Sequence, residues 1–247
     1  MTPIIWIIIF SLLGSIVSAG GAALLLYFSE GLRRLLTPNL VSYATGTLLG
    51  AAFLGMLPHA LDQAQVAPIL ASVLAGIMFF FLLEKMVIWR HCHVEGCEVH
   101  GSAGSLIIFG DAFHNFFDGV VITAAFLTSI PLGVATGLAV IAHEIPQEIG
   151  DFAILLDSGY SKQKALLYNL LSSITTLPGA LIAYFFLRET QVIVPYILAI
   201  SASSFIYIAI ADLIPKLHQR VSVVASIIQF TLILAGIGTI FVFRLHG

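Results

Sequence analysis

The chain has 247 residues, 59% hydrophobic and 9% charged, with a formal charge of −3 and a mean hydropathy of +1.05. A soluble domain carries roughly a quarter charged residues, so the composition excludes one and implies a polytopic membrane protein. The small negative charge leaves no basic surface for nucleic acid, and it argues against anionic lipid as the main partner.

A membrane-spanning helix needs about 20 apolar residues, and the chain divides into eight such runs. The first, Ile4–Tyr27, has no positive residues ahead of it and reads as a span rather than a cleaved signal. It ends at Ser29-Glu30 and Arg33-Arg34. The second is Leu40–Leu61 and the third Val66–Trp89, which runs into the polar stretch Arg90–Gly101. The fourth is Ser105–Leu127. Pro131 opens the fifth, which reaches Leu156 and is broken by Asp157-Ser158-Gly159. Ser161–Leu187, Val192–Ile214 and Val221–Phe243 complete the set. The fold class expected is all-α: one transmembrane domain over residues 1–247, with eight spans and short connections. A second copy of the chain is a possible partner within the bilayer.

Basic residues orient the spans. Arg33, Arg34, Lys85, Arg90, Lys162, Lys164, Lys216 and Arg220 lie at the connections after spans 1, 3, 5 and 7. Only Arg188 and Arg244 lie on the other side. Those four connections are expected in the cytoplasm and both termini outside. A plasma membrane, taken as a bacterial inner membrane, is the expected location.

The charge missing from the rest of the chain is concentrated in Gly110–Gly119 (GDAFHNFFDG) and Ala142–Asp151 (AHEIPQEIGD). Helical residues three or four apart share a face. Asp111, His114 and Asp118 therefore form one stripe, with Asn115 beside it. In the fifth span His143 and Gln147 are one turn apart, as are Glu144 and Glu148, and Asp151 continues the latter side. Each central carboxylate costs about 3 kcal/mol to insert, so the set implies a cation or a water path. Imidazole with carboxylate suits zinc and other divalent first-row metals. There are ligands enough for two neighbouring ions, bridged by Asp118 or Glu148. Pro146 removes a backbone donor from the Ala142 carbonyl, so a kink beside the ligands is expected.

HNFFD in the fourth span and HEIPQE in the fifth resemble the paired signatures of the ZIP family of divalent-metal transporters, in its LIV-1-like branch. Leu57-Pro58-His59-Ala60 and Tyr207–Pro215 (YIAIADLIP) are similar too. The resemblance implies a two-metal transport site made of His114, Asn115, Asp118, His143, Glu144, Gln147 and Glu148. It implies Zn²⁺ as cargo, with Fe²⁺, Mn²⁺ and Cd²⁺ as further candidates, moving into the cytoplasm without an organic cofactor. Many relatives of this branch have histidine where Gln147 stands.

Other polar residues are candidates for the pathway: Asp111 and Asp151 beside the site, His59 and Asp62 at the outer end of span 2, and Asp212 near the inner end of span 7. The connection between spans 3 and 4, about residues 91–104, holds His91, Cys92, His93, Cys97 and His100, a set that suits zinc or copper as a cytoplasmic acceptor or sensor. No nucleotide-binding motif is present, so transport would be secondary, not driven by ATP. Two alternatives compete. One is a metal exporter or channel. The other is an intramembrane metalloenzyme, since His143-Glu144 begins like the HExxH zinc motif, but Gln147 stands where its second histidine belongs.

Overall fold

A computed structural model describes residues 2–26, 28–91, 102–219 and 222–245. Regular structure among them is helical and forms eight rods. They are α1 (Pro3–Leu26), α2 (Glu30–Gln63), α3 (Val66–His91), α4 (Ser102–Thr128), α5 (Ile130–Asp157), α6 (Lys162–Glu189), α7 (Gln191–Leu217) and α8 (Val223–Leu245). α1–α3 and α6–α8 are long and apolar enough to cross a membrane. α4 and α5, of 27 and 28 residues, lie among them and carry the polar stripes. The chain is an all-α polytopic membrane protein.

The rods start where local chemistry starts them. α2 begins ten residues before the apolar run because the Ser29 hydroxyl accepts from the amide of Leu32 and Glu30 occupies the first turn. Arg33 and Arg34 are thus helical, not part of a connection. Ser129 caps α5 by accepting from Leu132 at 3.2 Å, and Pro131 sits where no donor is needed. α5 then continues through Pro146 as one helix to Asp157. α6 is interrupted between Ser173 and Thr176.

α4 packs on α5 and α6, and α5 packs on α1, so these four form one bundle. α2 packs on α8 and α3 on α7, forming a second. The two bundles meet mainly through α2 and α8 against α5, and α7 against α4. Exchanging 1 with 6, 2 with 7, 3 with 8 and 4 with 5 turns α4–α6 into α5–α1 and α2–α8 into α7–α3, and leaves α4–α5 unchanged. α2 and α7 also share a wide π turn, at Ala51–Met56 and Ile208–Leu213, each followed by a proline, Pro58 and Pro215. Such turns are uncommon and recur at functional positions.

Backbone contact fixes two crossings. A Cβ at Gly119 would lie 2.0 Å from the Thr176 carbonyl oxygen, and one at Gly179 would lie 2.1 Å from that of Phe116. α4 and α6 therefore cross without side chains between them. Gly46 and Gly236 make the same reciprocal contact between α2 and α8. Gly119→Leu should lower stability by more than the about 1–3 kcal/mol of ordinary overpacking, because backbone cannot step aside. Thermal unfolding of purified protein in detergent checks this; an unchanged midpoint would contradict the crossing.

Candidate metal centre

α4 and α5 lie side by side, and their polar stripes face each other. Asp118, His143 and Glu144 are 1% exposed and Glu148 is fully buried. Nε2 of His114 is 3.2 Å from Nε2 of His143, 3.3 Å from Oε1 of Glu144 and 3.7 Å from Oδ2 of Asp118. Nε2 of His143 is 3.3 Å from Asp118 Oδ2 and 3.7 Å from Glu144 Oε1. A tetrahedral zinc ion with donors at about 2.0–2.1 Å would set them roughly 3.3–3.4 Å apart. Two nitrogens and two oxygens thus gather within 4.8 Å of one another, and the separations of each imidazole nitrogen from the other donors, 3.2–3.7 Å, are close to that spacing. Nδ1 of His143 lies 3.0 Å from the Ala139 carbonyl oxygen. A proton held there leaves the Nε2 lone pair pointing into the cluster.

A second group adjoins the first. Asp111, Glu144 and Glu148 each bring an oxygen within 4.8 Å of the others. Glu144 belongs to both groups, whereas Asp118 belongs only to the first and Glu148 only to the second. Asp111 Oδ2, Asp118 Oδ2, Glu148 Oε2 and both oxygens of Glu144 are buried without a hydrogen-bond donor among the described residues. Orphaned carboxylate oxygens in an apolar interior are expensive. Four such carboxylates, when ionised, match the charge of two divalent cations.

Both amides of the site hydrogen-bond to Asp111. Asn115 Nδ2 donates to Asp111 Oδ1 at 3.1 Å and to the Asp111 carbonyl oxygen at 3.2 Å, while its own Oδ1 accepts from Thr176 at 3.1 Å. Gln147 Nε2 donates to the same Asp111 oxygen at 3.1 Å. Both amides brace Asp111.

α6 supplies support that the sequence reading missed. Ser173 donates to Glu148 Oε1, and Asn169 donates to the Glu148 carbonyl oxygen at 3.2 Å. The signal was Asn169, Ser173 and Thr176, a polar stripe three and four residues apart in an otherwise apolar span.

A cavity of about 610 Å³ reaches the site from one end. Asp111, Gln147, Asp151, Asp212, Glu84 and Tyr207 are among its lining residues. Asp212 is exposed there and pairs with Lys216 at 2.7 Å. Tyr207 donates to Glu84, and both line this mouth. At the other end apolar side chains fill the space. Phe205 lies 5.8 Å from His143, ring to ring, and Phe126 packs on Phe10 and Trp6. His59 lies at that end, its Nδ1 2.9 Å from the Gly55 carbonyl oxygen, beside a cavity of about 30 Å³. Asp62 is exposed. Neither joins the ligand groups. His91 ends α3; Cys92, His93, Cys97 and His100 lie outside the described residues.

The family model described as ZIP Zinc transporter matches residues 90–244, which include both polar helices. The chain belongs to the ZIP zinc transporter family. It is 37% identical over 140 residues to the zinc transporter ZIP10 of Danio rerio, covering 54% of this chain and 16% of that protein. It is 37% identical over 150 residues to the zinc transporter foi of Drosophila melanogaster, covering 60% and 21%. Zinc transporter ZIP13 of Pongo abelii matches at 32% over 224 residues, covering 84% and 66%. The chain spans about a fifth or less of the first two relatives. These ZIP relatives are named as transporters, not enzymes. The HExxH alternative also loses its footing in the geometry, because the side chain in the place of its second histidine, Gln147, donates to Asp111.

Proposed function

We propose that the chain is a secondary carrier that brings divalent cations, Zn²⁺ foremost, across a plasma membrane into the cytoplasm. The site is held between α4 and α5, and all eight rods cross the bilayer. The supporting observation is the convergence of the His114, Asp118, His143 and Glu144 donors, with each imidazole nitrogen 3.2–3.7 Å from the other three. The ion exchanges its water for these ligands and passes to the Asp111–Glu144–Glu148 group through the shared Glu144. It leaves by the open cavity, whose mouth lies at the lysine-bearing end of α7. The basic-residue pattern assigns that end to the cytoplasm, so this conformation faces inward.

Alternating access then requires the α1-α4-α5-α6 bundle to move against α2-α3-α7-α8, as in other repeat-built carriers. A membrane potential of 100 mV supplies about 2.3 kcal/mol per charge, and twice that for a divalent ion. Histidines and carboxylates must shed protons to bind metal, so acidifying the side from which zinc enters should slow uptake. Purified protein in liposomes holding a zinc-sensitive dye tests the whole reading. Influx under an inside-negative potential, slowed by external acid, is the expected result. No flux in either direction would overturn transport, and net efflux from intact cells would reverse its direction.

A further inference from the structure

The formal charge of −3 belongs to the whole chain, yet one corner of the molecule is locally positive. A cavity of about 540 Å³ lies between the first turns of α2 and the last turn of α7, with Ile149 of α5 in its wall. Small-molecule sites span about 300–1,000 Å³, so the space is of ligand size. Arg33, Arg34 and Lys216 line it against a single carboxylate, Glu30, three positive charges to one negative.

These cations keep capacity for a further anion. Nε of Arg33 is buried with no hydrogen-bond partner among the described residues, a costly state that an acceptor in the cavity would relieve. Lys216 pairs with Asp212 at 2.7 Å, which uses one of the three donors of an ammonium group. Arg34 pairs with Glu30 at the surface, where both side chains are mostly exposed and such pairs compete weakly. Guanidinium and ammonium groups together suit a phosphate.

The remaining walls favour a phosphate that carries hydrocarbon. Val41, Ile149 and Leu217 line the same space, and Leu35, next to Arg34, is 56% exposed. A hydrated inorganic anion gains nothing from such surface, whereas the acyl carbons of a lipid bury against it. The basic-residue pattern assigns this end to the cytoplasmic leaflet, where basic pockets between spans take up anionic headgroups.

We propose that this cavity binds the phosphate headgroup of an anionic phospholipid, with Arg33 and Lys216 as its main contacts. None of its lining residues belongs to either metal-ligand group. The site rests on the carrier reading only for the orientation of the membrane, and its test does not depend on transport.

Full-length protein, stripped of lipid in detergent, is titrated with phosphatidylglycerol or phosphatidylcholine, and native mass spectrometry counts the bound lipid. One phosphatidylglycerol should be retained in preference to phosphatidylcholine, and excess inorganic phosphate should not displace it. Each basic residue at an anionic surface is worth about fivefold, so Arg33→Gln with Lys216→Gln should weaken that binding about 25-fold. Lys162→Gln with Lys164→Gln removes the same charge outside this cavity and should leave it unchanged. Equal affinity in the two double variants, or no preference between the two lipids, would overturn the site. Displacement by inorganic phosphate would overturn the lipid in favour of a soluble anion. Zinc influx into liposomes judges the carrier reading separately, and its failure would leave the lipid count untouched.

Discussion

His143→Ala is expected to abolish zinc uptake while leaving the protein in the membrane. The imidazole is 1% exposed, and its Nε2 lies within 3.7 Å of donor atoms from all three other members of the first group. Its other nitrogen is held at the Ala139 carbonyl, so the ring is set before any ion arrives. Removing it leaves three donors and two carboxylates facing each other across a gap. Affinity should fall by more than the roughly 10–100-fold that an outer-shell partner is worth, because a ligand itself is lost. Zinc influx into liposomes at matched protein density measures it. Wild-type influx from the alanine variant would remove His143 from the pathway.

Glu144→Gln should act on both stations at once. Glu144 is the member common to the two groups, and neither of its oxygens has a hydrogen-bond donor among the described residues. Taking away its charge leaves three carboxylates for two divalent ions. The neighbouring change Glu148→Gln touches only the second group, where Ser173 holds one of its oxygens. Zinc titration calorimetry separates them. Glu148→Gln should keep one tight site, whereas Glu144→Gln should lose the tight site and the weaker one together. Equal behaviour of the two variants would show that Glu144 is not shared.

The polar faces of α4 and α5 could be read directly from the chain. Charge in an apolar span is costly enough that His114, Asp118, His143, Glu144 and Glu148 stand out against hydrocarbon, and regular three- and four-residue spacing puts them on one side. The support from α6 was harder to see. Serine and threonine can satisfy themselves on their own helix, as Ser173 does with the Asn169 carbonyl at 2.8 Å, so their presence in a span carries little cost and little signal. Gln147 was ambiguous for another reason: an amide can offer either an oxygen to a metal or a proton to a carboxylate, and only its neighbour Asp111 decides. The start of α2 was hidden because Arg33 and Arg34 look like a connection until the Ser29 cap is seen.

The wide turns in α2 and α7 carry one more residue than an ordinary turn. Everything beyond them is consequently set about 100° round the helix axis from where uninterrupted α geometry would place it. A helical wheel drawn through Ala51–Met56 assigns His59 and Asp62 to the wrong side, and one drawn through Ile208–Leu213 misaligns Lys216 with the residues before Tyr207. The two helices that hold the candidate ligands have no such insertion, which is why a plain wheel suffices for them and fails for the pair that frames them.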